Sequence, residues 1–172
     1  GMAVLLALLP GLCLAQERPI PFLGDVYTES FSSTLDGASI HEFTKSGESP
    51  SNWTRLLTIQ CHPLASRATD VINPYLKARQ ELLLAKPSLI RSPNDGKSGF
   101  VLIAILGQKR AKTFEFVAIR FSEQKNHGVI AVSMSEKHAT AKNVRIENGQ
   151  SIEDFIINFD MQLAQQVCSE ST

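Results

Sequence analysis

Three strand-like runs follow one another between residues 100 and 135, joined by polar links no longer than those at 107–112 and 123–128. They are Phe100 to Leu106, Thr113 to Phe121 and Val129 to Ser135. Links this short join only antiparallel neighbours, because a parallel crossover needs a dozen or more residues. The second half of the chain is therefore committed to a β-meander. Phe100-Val101-Leu102-Ile103-Ala104-Ile105-Leu106 is apolar at every position, which places it under cover on both faces and near the centre of the sheet.

The segments around this meander carry their own signals. Asp25 to Phe31 and Ser39 to Phe43 alternate about a turn at Asp36-Gly37, the pattern of a β-hairpin, after a short Pro-bounded entry at Ile20 to Leu23. A Ser-, Gly- and Pro-containing loop from Lys45 to Ser51 precedes a third strand, Trp53 to Cys61, rich in aromatic and β-branched residues. From Leu64 to Ala85 the apolar residues return at helical spacing. Pro74 interrupts them, so either a kinked helix or two pieces is expected. Residues 87–97 read as a loop. Ile152, Phe155, Ile156, Phe159, Leu163 and Val167 form one apolar stripe, with Ser151 and Asp154 spaced like a capping box, so the chain ends on an amphipathic helix. The expected fold class is α+β: an antiparallel sheet of about six strands with two packed helices, in the order β-β-β-α-β-β-β-α.

The first residues differ from the rest. Ala3 to Leu9 is an unbroken apolar run, Pro10 and Gly11 end it, and small residues stand at Cys13 and Ala15 before the first charges, Glu17 and Arg18. This is the shape of a cleaved signal peptide spanning residues 1–15, although no Lys or Arg precedes the apolar run. The run is too short for a permanent transmembrane helix. The chain then divides into that leader, one domain over 20–168 and a tail of 169–172, with a periplasmic or secreted location. Cys61 and Cys168 are left as a pair. In an oxidising compartment they form a disulfide or stay as two buried thiols, and their spacing alone does not decide between these.

The element order, the Trp53 strand and the C-terminal amphipathic helix resemble the fold of the photosystem extrinsic PsbP proteins and of small bacterial exported proteins. The stretches Glu42-Phe43 to Gly47-Glu48, Asn52-Trp53-Thr54 and Leu57-Thr58-Ile59-Gln60 carry the second resemblance. It implies an α/β sandwich over Asp25 to about Val167. It carries no residue role with it, since sites are grafted on folds.

Chemistry is sparse. Seventeen basic and seventeen acidic residues cancel, so no long-range field favours nucleic acid as a partner. His41, His62, His127 and His138 stand too far apart for a ligand pair, and neither a metal nor a cofactor is expected. Cys61-His62 is the most reactive-looking dipeptide, but neighbours on a strand point to opposite faces. Glu42 and Glu48 flank the loop before Trp53 and suggest one wall of a pocket. Lys109 and Arg110 place cations on a hairpin link where an acidic partner could touch them. The expected function is a non-enzymatic exported protein that binds a protein partner or a small apolar ligand. The alternatives are a hydrolase with a site around Cys61 and His62, and a structural component of an envelope assembly. The oligomeric state is not readable from the sequence.

Overall fold

A computed structural model describes residues 18–108, 110, 112–139 and 150–171. The signal-peptide reading falls on residues outside these. Eight strands are present among them: β1 (Ile20–Phe22), β2 (Asp25–Leu35), β3 (Ala38–Lys45), β4 (Arg55–His62), β5 (Ser88–Arg91), β6 (Gly99–Gly107), β7 (Phe114–Gln124) and β8 (Gly128–His138). Three helices accompany them: α1 (Thr69–Ala78), α2 (Gln150–Ile157) and α3 (Met161–Ser169). The strands form one antiparallel sheet in the order β1-β2-β3-β4-β8-β7-β6-β5. The α+β class, the hairpin at Asp36-Gly37 and the β6-β7-β8 meander are as the sequence suggests. Asp36 and Gly37 both have positive φ, 52° and 78°, the tight turn that a right-twisted hairpin needs.

The strand count is eight rather than about six. The two extra strands are short edge pieces: β1 lies in the Pro-bounded entry, and β5 in the stretch expected to be a loop. A three- or four-residue run leaves no measurable alternation, and its partner strand supplies the hydrogen bonds that define it. Because β5 lies outside it, β6 is one strand in from the edge, and β4 and β8 occupy the centre.

The C-terminal helix is two helices. Asp160 caps α3 by accepting a hydrogen bond from Gln162 N at 3.0 Å, which breaks the stripe at residues 158–160. The first helix is shorter than its apolar pattern: α1 runs through Pro74 without a break, and a separate 3-10 turn follows at Gln80–Leu82.

Two cores result. On one face, α2 and α3 cover Leu57, Ile59, Phe116, Ile130, Val132 and Met134, and the Cys61–Cys168 disulfide ties the end of β4 to α3. On the other face, α1 covers Leu102, Ala104, Val117, Ile119, Phe121 and Val129. That second cover extends only over the β6-β7-β8 half of the sheet. The corresponding face of β2, β3 and β4 has no helix above it among the described residues, and this asymmetry sets up the candidate site.

Candidate functional site

Alternation along β4 sends Leu57, Ile59 and Cys61 into the α2/α3 core and turns Gln60 and His62 to the α1 face. Beyond His62 the chain turns through Pro63, Leu64 and Ala65 into α1. A groove of about 420 Å³ lies here. The β2–β3 turn forms one wall, Val71, Pro74 and Tyr75 of α1 form the other, and Gln60 with His62 make the floor.

The groove is apolar with a short polar floor. Gln60 Oε1 lies 3.3 Å from His62 Nε2, and burial pushes the His62 imidazole below its ordinary range, so the ring is neutral at pH 7. Arg79 lies with its guanidinium 3.8 Å from the centre of the Tyr75 ring, which keeps a cation at the mouth. Asp70 is already engaged, accepting hydrogen bonds from the backbone of Ser66 and Arg67 at 3.2 and 2.9 Å.

The rim carries large apolar side chains in solvent. Leu64 is 82% exposed, Leu35 74% and Phe31 46%. Phe31 and Leu35 share the α1-side face, because β2 pairs Phe31 with Glu42 and Leu35 with Ala38. Ser33 stands between Phe31 and Leu35 on that face and Glu42 opposite Phe31, so the exposed apolar side chains are interspersed with polar ones, and of the three only Leu64 lines the groove itself.

The residues singled out from sequence are not gathered at this groove. Glu42 is on the same face, opposite Thr58, two positions along β3 from the Ile40–Gln60 pair, and burial raises its carboxyl above the usual range. Glu48 lies at the other end of the sheet. Its Oε1 accepts from Thr54 N at 3.1 Å and Thr54 Oγ1 at 2.5 Å, so it braces the loop and does not wall a pocket with Glu42. Trp53 precedes β4 and is half-buried under the Lys137 ammonium, 4.0 Å from the ring centre, outside both cores. Arg110 is exposed on the β6–β7 link, and Lys109 lies outside the described residues. Cys61 and Cys168 are bonded to each other, and the Cys61 and His62 side chains point to opposite faces, so the dipeptide offers no thiolate beside an imidazole. Among the described residues no group of three His, Cys, Asp or Glu is placed to hold a metal ion.

The groove itself escaped the sequence reading. Tyr75 and Arg79 stand four apart on a helix, a spacing that brings them together, and this pair was the available signal.

A family model matches residues 14–166. The chain belongs to that family, which is uncharacterised. No curated protein and no solved structure matches it.

Proposed function

We propose that this protein is an exported binding protein that docks an apolar segment of a protein partner along the groove beside α1. Three exposed apolar side chains on the groove's side of the sheet, Phe31, Leu35 and Leu64, carry this reading. Single exposed leucines are ordinary, whereas several large apolar side chains on the side of a groove are the mark of an interaction site. The groove favours a partner over a small ligand, because ligand pockets enclose most of their ligand and this one is walled, among the described residues, by α1 and a hairpin turn over a floor of Gln60 and His62. Arg79 at the mouth adds a donor for a backbone carbonyl or carboxylate of the bound segment.

Export is supported by the apolar leader in the sequence and by the disulfide, since such bonds persist outside reducing cytosol. Among the described residues no helix is long and apolar enough to cross a membrane.

The test is photo-crosslinking in cells, with a photoreactive residue at position 64 or 75 and, as control, at position 110. Crosslinks to one protein at positions 64 and 75 but not 110, lost when Phe31 and Leu35 are changed to Ser, support the docking reading. Equal crosslinking at all three positions overturns it. Saturable quenching of an apolar dye by the isolated protein, with no crosslinked partner, moves the reading to a small apolar ligand.

A further inference from the structure

On the opposite face of β3, three residues far apart in sequence form a chain of hydrogen bonds. Glu29 Oε1 bonds to His41 Nδ1, and His41 Nε2 is 2.6 Å from Ser171 Oγ. The His41 side chain is only 9% exposed. Folding assembles this in two steps. A bulge between Glu29 and Phe31 shifts the register so that Glu29 pairs with Phe43, diagonal to His41. Ser39 pairs with Cys61 and His41 with Ile59, so the Cys61–Cys168 bond pins the end of α3 beside His41. Ser171, three residues after Cys168, is thereby laid against the imidazole.

Beside the hydroxyl is a cavity of about 250 Å³ lined by Ser171, Thr34, Ser39, Asn126, His127 and the disulfide. We infer that Glu29, His41 and Ser171 are a serine-nucleophile site for short-chain acyl esters entering this cavity. The order carboxylate, imidazole, hydroxyl is the one that acyl transfer needs: a base within reach of the nucleophile and a third group orienting the base. Glu29 holds the His41 proton on Nδ1, which leaves Nε2 as an acceptor. The Ser171 hydroxyl also lies 3.0 Å from the Val167 carbonyl, to which it can donate, and in this scheme it turns its proton to Nε2 when the ester enters. Ser171 Oγ bonds to the acyl carbon as its proton passes to Nε2, and the alcohol leaves carrying that proton. A water molecule then repeats the step on the acyl-serine, releasing the acid and restoring the hydroxyl. Asn126, Thr34 and Ser39 line the same cavity, and in this scheme their N–H and O–H groups are the donors for the oxyanion. The cavity has room for a short acyl chain. His41 is a catalytic residue in this scheme and Glu29 a positioning residue.

The cavity adjoins the docking groove at Gly37 and Pro63, which line both, but Glu29, His41 and Ser171 are on the other face of the sheet from His62 and Gln60.

The experiment uses the full, disulfide-bonded chain with a fluorophosphonate probe, peptide mass spectrometry and hydrolysis of p-nitrophenyl butyrate. The expected result is an adduct on Ser171, absent in Ser171→Ala, with His41→Gln lowering kcat by about 100-fold or more. Glu29→Gln, at a half-exposed position, lowers kcat while KM stays unchanged. Ser171→Ala is expected to melt close to the wild type and to keep the crosslinking pattern of the groove. No adduct on Ser171, or hydrolysis at the wild-type rate in Ser171→Ala, overturns the inference.

Discussion

Arg120 grips Asp95 with both arms of its guanidinium, Nε 2.6 Å from Oδ2 and Nη2 2.7 Å from Oδ1. Both side chains are buried, at 4% and 5% exposure. Arg120 Nη1 also donates to the carbonyls of Ile157 and Phe159, each at 3.0 Å, and Ser122 Oγ donates to Asp95 at 2.7 Å. The pair therefore locks the loop before β6 to the junction between α2 and α3.

Breaking that pair leaves a buried charge without its partner. Arg120→Met or Asp95→Asn is expected to lower stability by about 3 to 5 kcal/mol, read by urea denaturation. The double variant is expected to lose much less than the sum of the two, because the second change removes the charge that the first one stranded.

The same carboxyl gives the protein an acid limb. Burial works against ionised Asp95, but the hydrogen bonds from Arg120 and Ser122 and the Arg120 charge outweigh it and hold its pKa below the usual aspartate value. A carboxyl that ionises at lower pH when folded contributes its full stability above the unfolded value, and this is lost as pH falls through the folded one. Melting temperature is expected to drop on acidification from the ordinary aspartate range downward, and Asp95→Asn to flatten that drop. An equal slope in the variant would assign the acid sensitivity elsewhere.

The Cys61–Cys168 bond closes a separation of 107 residues. Cys61→Ala with Cys168→Ala is expected to lose about 4 to 5 kcal/mol on the chain-entropy model, measured by denaturation without reductant. Adding reductant to the wild type is expected to reproduce the loss.

Gly128, at the entry to β8, has φ +68°, and a Cβ placed there would stand 2.2 Å from the His62 carbonyl oxygen and 2.8 Å from the carbonyl of Pro63. Backbone cannot yield as a flexible side chain can. Gly128→Ala is expected to cost more than about 1 kcal/mol in a thermal melt and to disturb the groove floor.

Leu64, by contrast, is nearly all in solvent. Leu64→Ser is expected to shift stability by no more than about 0.5 kcal/mol while weakening partner capture at the groove. A large loss of stability would mean that Leu64 serves the fold and not an interface.

Much of the fold was legible because its causes are local. Strand-like apolar runs marked β6, β7 and β8, the short polar links made them antiparallel, and Asp36-Gly37 announced its turn. The readings failed where a neighbour decided the outcome. β5 exists because β6 offers it an open edge, the final apolar stripe is cut by one side-chain cap at Asp160, and Trp53 stops short of the strand it was expected to begin.

The amino-acid sequence by itself determined the α+β class, the meander and the two cysteines able to pair, since periodicity and turn chemistry act over a few residues. Only the tertiary structure decided that Cys61 meets Cys168, that among the described residues half of one sheet face lacks a helix, and that Ser171 reaches His41 across 130 residues. Those contacts depend on strand order and register, which arise from the burial of both sheet faces at once and leave no mark on any short stretch of chain.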